Sequence, residues 1–333
     1  MRAAPQVPGL YFTAAPPPPA ASPLRSDVAG FVGRTRRGPV GVPVRVEGWR
    51  AYLREFGGLA ADAVMTYAVR GYFENEGQVA HVIRICGPSA KRAKARWKVG
   101  SIDKDGRWAE NSPAGFEHTG YQIRAVSPGA WANDTRVSIN YRRRGASGSP
   151  ELDFVISVPN EPTQYFAGLP LNPDRTQRAE RQSNTFGRLA TSGSQFIQLV
   201  PKGPQLHPRA PTEGPHAMSW ELTLSGGRDA RPGESPGKRP YMSAITQLGD
   251  IGEVALVAVP GLYDDIRGTP DSAAEQQEVL AALIEQAEQL RDRLVLVDVR
   301  TDDERAAGDL AIKEVEKTLA WVDSLRRAAG DRA

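Results

Sequence analysis

Apolar and polar positions alternate along the chain in two textures, and the boundaries between them suggest its organisation. Asp27–Gly33 is a strand-like apolar run that ends in the basic turn Arg34–Gly38, and Val42, Val44 and Val46 alternate as a second strand. Trp49–Phe56 has helical spacing and stops at Gly57-Gly58, where glycine tolerates the left-handed conformation that closes helices. Val64–Phe73 carries Val64, Ala68 and Tyr72 on one face of a second helix, and Val79–Ile85 follows as a buried strand.

From about Ser89 to Gln205 the period shortens to two. Gln122–Val126, Arg136–Tyr141, Asp153–Val158 and Phe196–Val200 alternate between Gly-, Pro- and Asn-rich turns, which predicts a mainly β segment. Arg142–Arg144 with Gly145–Pro150 reads as a hairpin tip, Pro201–Pro215 as loop and Gly226–Pro240 as a long polar loop. The helical period then returns. Val254–Val259 and Leu294–Val299 are continuous apolar strands of the type buried between helices. Ser272–Glu275 and Thr301–Glu304 have the form of capping boxes, opening helices with Val279, Leu280, Leu283 and Ile284, and Ile312, Val315, Leu319 and Val322, facing inward. Strand, helix, strand, helix predicts a parallel pair.

The 333 residues are 40% hydrophobic and 24% charged, enough for a sizeable core in about two domains. The longest apolar runs fall far short of the ~20 residues of a membrane span. Net charge is +3, too small to announce a nucleic-acid partner. It is unevenly spread: Arg84–Arg107 holds eight basic residues against Asp103 and Asp105, whereas Glu275 to the end holds 14 acidic against nine basic. Opposite patches on one chain suit head-to-tail docking of identical subunits, or simply two solvated faces. Cys86 is the only cysteine, so no intrachain disulfide forms, and it reads as a small buried hydrophobe. Residues 1–24 contain seven prolines, which break any apolar leader helix and leave Val7-Pro8-Gly9-Leu10-Tyr11-Phe12 as an extended apolar piece. Such an arm suits addition to another subunit's sheet edge; a frayed terminus is the plainer alternative.

Candidate chemistry is sparse. Beyond the carboxyl ends of the late parallel strands lie Asp264, Asp265, Asp302 and Asp303, where metal or acid–base work would sit. Asp302 and Asp303 equally suit a helix's first turn, and Asp264-Asp265 a solvated loop. Leu224–Gly227 resembles an ATPase signature loop and Gly237-Lys238 the end of a P-loop, but the positions flanking the latter are Pro232 and Arg239. His81, His118, His207 and His216 have no ligand spacing, and Ser192-Gly193-Ser194 has no evident base. Trp97 alone interleaves the basic stretch Lys91–Lys98, which reads as a solvated basic loop rather than a stacking groove. No catalytic, cofactor-binding or metal-binding residue is assigned.

Several strings, in order, resemble contractile phage tail sheath proteins, nearest to sheaths of extracellular contractile injection systems. They are Pro8–Tyr11, Asp27–Thr35 with Arg37–Pro39, Phe56–Gly58, Gly71–Gly77, Val82–Ile85, Ser127–Asn133, Leu224–Asp229, Val254–Gly261 and Arg291–Asp298. The resemblance implies a structural protein, not an enzyme, that needs no cofactor. It would stack in hexameric rings around an inner tube and contract to drive the tube through a target envelope. Its partners would be other sheath subunits, the inner tube protein, and baseplate and terminator proteins, with no nucleic acid. It would be made in the cytoplasm and end in a phage tail or phage-like particle.

The implied fold is an α/β (α+β) sheath-type core with a mainly β inserted domain and an extended N-terminal arm. Residues 1–24 would be the arm, 25–88 the first part of the core, 89–205 an outward-facing inserted domain and 206–333 the second part of the core. Val7, Pro8, Gly9, Leu10, Tyr11 and Phe12 would be the subunit-contact residues. Full-length sheaths carry a further C-terminal, tube-facing domain not seen here, so a truncated paralogue, a split half or a remnant that does not form long tubes alone is the alternative. An α/β nucleotide- or metal-binding enzyme using the four aspartates is the remaining one.

Overall fold

A computed structural model describes residues 27–98, 101–102, 108–109, 120–143, 150–170, 194–202, 217–231, 233–268, 270–298, 320, 322–324 and 327. The arm at 1–24, His118, His207, His216, Ser192-Gly193, Asp302, Asp303 and the stretch bearing Ile312, Val315 and Leu319 lie outside these residues; Val322, expected to face inward on the same helix, is described and is exposed instead.

The first half-core is β1 (Val28–Gly33), β2 (Val44–Glu47), α1 (Trp49–Phe56), α2 (Val64–Glu74) and β3 (Val79–Arg84). The antiparallel half comprises β4 (Lys94–Lys98), β5 (Ser101–Ile102), β6 (Trp108–Ala109), β7 (Gly120–Ala125), β8 (Arg136–Arg143), β9 (Pro150–Ser157), β10 (Gln164–Pro170), β11 (Ile197–Lys202) and β12 (Ala217–Thr223). The chain then forms α3 (Lys238–Gly249), β13 (Leu256–Ala258), the single turn α4 (Leu262–Asp265), α5 (Ser272–Leu290) and β14 (Leu294–Leu296).

Five strands form one sheet in the order β14-β13-β1-β3-β2, parallel throughout except for β2. Every residue of β1 and β3 is buried, as strands covered on both faces are; β1 is apolar throughout, whereas β3 also buries His81 and Arg84. On one face, α3 and α5 pack over Val28, Val32, Ile83 and Val257; on the other, α1 and α2 bring Tyr52, Phe56, Met65 and Val69 over Ala29, Phe31 and Val82. The expected parallel pair is β13 and β14, with Ala258 opposite Leu296, but β14 is not buried between helices as expected: it ends the sheet order and leaves Leu294 and Leu296 exposed.

The antiparallel half stacks two sheets, β10-β9-β8-β12 and β11-β7-β4, around one core of Trp97, Tyr121, Ile123, Ile139, Phe154 and Leu199. Its limits differ from those read from sequence. β12 pairs with β8 from Ala217↔Arg142 to Thr223↔Arg136, so residues 217–223 belong to the antiparallel half rather than to the core. Basic residues 94–98 are a strand, not a solvated loop. Alternation sends Trp97 into the core and Lys94 and Arg96 outward. The polar loop from Gly226 ends at Gly237, because Pro240 sits in the first turn of α3, where its missing N–H costs no helical bond. α5 begins at Ser272, the residue expected to cap it, so its cap lies one residue earlier. Asp271 holds the N-cap position and makes no side-chain capping bond.

Candidate functional site

The densest polar arrangement lies where the carboxyl ends of β1, β3 and β13 meet the antiparallel half. β3 ends on Arg84, whose guanidinium is fully buried. Its Nη1 donates to the Gly38 carbonyl at 2.8 Å, and its Nη2 to the Pro128 carbonyl at 3.0 Å and Asp229 Oδ1 at 2.7 Å. The other Asp229 oxygen accepts the Ala130 N–H at 3.0 Å. A buried cation is tolerable only with this degree of pairing, because losing water costs several kcal/mol per ion, on the order of what the bonds return.

Around that pair two loops are laced together. Asn133 donates to the Gly227 carbonyl at 3.0 Å and accepts the Gly227 N–H at 2.8 Å. The Lys91 carbonyl accepts from the N–H groups of Gly129 and Arg228. Gly129 has φ +134°, and a Cβ on Gly227 would run into the Gly129 carbonyl oxygen, so both positions demand glycine. Gly226-Gly227 is thus part of a packed junction, beyond a simple turn at a strand's end.

The basic turn after β1 makes the other ties. Arg37, also buried, pairs through Nη1 with Glu161, donates through Nη2 to the Leu53 and Arg54 carbonyls at the end of α1, and lies 5.0 Å from the Phe196 ring centroid. Burial lowers its pKa, and Glu161 opposes that shift. Arg34 Nε lies 2.7 Å from Asp265 Oδ1, and Tyr241 donates its hydroxyl proton to Asp265 Oδ2 at 2.5 Å. Burial pushes the Asp265 carboxyl up to about 6 despite Arg34 and Tyr241, which pull it down. The Tyr241 hydroxyl is raised by the same burial and by Asp265.

Asp264 and Asp265 are not a solvated pair: they belong to α4. Asp264 is exposed and pairs with Arg267 at 3.4 Å, whereas Asp265 is buried against Arg34, so the two carboxylates do not converge. Cys86 is buried as expected, and desolvation lifts its thiol to about 11, which leaves it protonated and unreactive at neutral pH. His81 sits against Glu253 at 2.7 Å, a contact that, with Arg45, holds the Glu253 carboxyl below its ordinary value. Among the described residues no group of His, Cys, Asp and Glu could hold a metal ion, and no helix is long and apolar enough to cross a membrane.

What the arrangement does chemically is hold two halves of the molecule in one orientation. Sequence reasoning treated Arg34–Gly38 as a plain basic turn; its only signal was three arginines placed directly after a fully apolar strand.

No family model and no curated protein matches the chain. Among solved structures it is similar to the sheath tail protein Lin1278 of Listeria innocua, with a TM-score of 0.44 and 11% identity over 79% of this chain and 44% of that one. It is similar also to a sheath tail protein of Desulfitobacterium hafniense, with a TM-score of 0.43 and 12% identity over 86% of this chain and 52% of that one. The chain spans about half the length of each.

Proposed function

We propose that this chain is a structural subunit of a contractile tail sheath, which polymerises around an inner tube and contracts to drive it through a target envelope. One observation carries the reading. Three of the strings that resemble sheath proteins (Val82–Ile85, Ser127–Asn133 and Leu224–Asp229) are separated by up to 145 residues, yet they interlock at the Arg84–Asp229 junction. A subunit that is displaced bodily during contraction needs its halves coupled rigidly, and a buried, multiply bonded ion pair backed by two obligatory glycines supplies that coupling.

In this reading the antiparallel half faces outward from the lattice, and the five-stranded sheet belongs to its wall. The arm Val7, Pro8, Gly9, Leu10, Tyr11 and Phe12 adds a strand to a neighbouring subunit's sheet. On the five-stranded sheet, β14 is an edge strand among the described residues, and Leu294 and Leu296 are exposed along it. Partners are other sheath subunits in hexameric rings, an inner tube, and baseplate and terminator proteins.

Immunogold labelling of the chain on phage-like particles from the source cells tests the role. Label repeating along the tube shaft, and crowded into a shorter length on contracted particles, is expected. Label confined to one end or absent from the particles would overturn it.

A further inference from the structure

Two oppositely charged faces remain after the junction is accounted for. The first is the outer face of β11-β7-β4. Alternation places Lys94 and Arg96 of β4, Gln122 and Arg124 of β7, and Gln198 and Val200 of β11 on this side, away from the core residues Trp97, Tyr121, Ile123 and Leu199. Register sets Lys94 directly across from Arg124, and Arg124 directly across from Gln198. Arg92, just before β4, joins them. Its Nη1 and Arg124 Nε both donate to the one oxygen Gln198 Oε1, each at 3.3 Å. Two partly buried guanidiniums therefore share one neutral acceptor. Burial and the neighbouring Arg124 lower the Arg92 pKa, the mark of a cation short of counter-charge. No acidic residue occurs in β4, β7 or β11, and among the described residues Arg92, Lys94, Arg96 and Arg124 form no ion pair.

The second face lies on α5. Its inner side is buried through Gln276, Val279, Leu280 and Leu283. Asp271 at its N-cap, then Glu275, Glu278, Glu285 and Glu288, lie on a broad remaining side that also carries the buried Ala281; Glu275, Glu278 and Glu285 are half-buried and Glu288 is exposed. The helix contains no Lys or Arg, and of these carboxylates only Glu278 has a basic partner, Lys238, among the described residues. α5 is fixed against its own β14 and α3. The helix, about 28 Å long, is longer than the three-stranded face, about 17 Å by about 10 Å, but its stretch from Glu278 to Glu288, about 15 Å, fits across it.

We propose that the acidic side of α5 on one copy docks across the basic β11-β7-β4 face of a second copy, with carboxylates entering between Arg92 and Arg124. The two faces differ, so the contact is heterologous and each copy added presents a fresh face to the next. This deepens the sheath reading by naming one subunit contact, and it involves neither the N-terminal arm nor the edge of β14.

The test is analytical ultracentrifugation of the full chain at about 50 mM and about 500 mM NaCl, since exposed charge pairs are screened at the higher salt. Wild type is expected to form oligomers at low salt and to weaken by about tenfold or more at high salt. Arg92→Glu with Arg124→Glu should be monomeric alone, and so should Glu285→Lys with Glu288→Lys. An equimolar mixture of the two variants should regain association, because each restores the opposite sign on the other. That rescue separates lost charge from lost folding.

Salt-insensitive oligomers, or variants that associate as wild type does, would overturn the contact. So would a monomeric wild type whose basic face instead retains a labelled DNA oligonucleotide. Failure here is distinguishable from failure of the sheath role, because immunogold label would still repeat along the shaft if the subunits join through other surfaces.

Discussion

Removing the Arg84 side chain would strand three acceptors at once: the Gly38 and Pro128 carbonyls and one Asp229 oxygen. Breaking a buried pair by deleting one partner typically costs about 3–5 kcal/mol, and partial exposure of Asp229 puts Arg84→Met near the lower end, ~3 kcal/mol. Chemical denaturation of wild type and variant measures it; a loss within ~0.5 kcal/mol would show the pair to be ornamental. Asp265 makes a prediction of opposite pH sense to most carboxylates. Its pKa is raised to about 6 by burial, so the folded state favours the protonated form. The stability it contributes is fully present below the unfolded value of about 3.9 and is lost as pH rises through about 6. Glu253 and Asp292, whose carboxyls are lowered by His81 and Arg293, work the other way at more acid pH, so the window to examine is pH 5–7. The Asp265 carboxyl carbon should titrate by NMR with a midpoint about 6; a midpoint near the ordinary value of about 4 would contradict its burial.

At the scale of elements, much of the core was legible and for identifiable reasons. Trp49–Phe56 was read to the residue because Gly57 takes φ +80° just past its end, and β1, β3, β13 and β14 announce themselves as apolar runs. β4 was missed because half of its positions face solvent and are basic, so Lys94-Ala95-Arg96-Trp97-Lys98 looks like a charged loop unless Trp97 is weighed as an inward residue. α3 was missed because it begins inside a Gly- and Pro-rich stretch. The site was barely legible: Arg34, Arg37, Arg84, Asp229 and Asp265 find one another only through tertiary approach, which no local spacing encodes. Strand burial carries its own prediction for hydrogen exchange. Amides of β1 and β3, central and covered on both faces, should exchange slowest, and those of β14, at the edge with Leu294 and Leu296 exposed, markedly faster. Equal protection across the sheet would mean that another element covers β14.

At the scale of the whole molecule, buried ion pairs, Arg84–Asp229 and Arg37–Glu161, join a parallel α/β core to an antiparallel double sheet, and in the sheath reading the resulting rigid body is a repeating unit. Repetition is the claim with the sharpest consequence, since a sheath subunit must be present at a copy number comparable to that of the tube it surrounds. Quantitative mass spectrometry of high-mass particles sedimented from the source cells measures this directly. Peptides of this chain should co-sediment with tube and baseplate proteins at close to the tube's copy number. Its absence from such particles, with the chain left in the unsedimented fraction, would contradict the account.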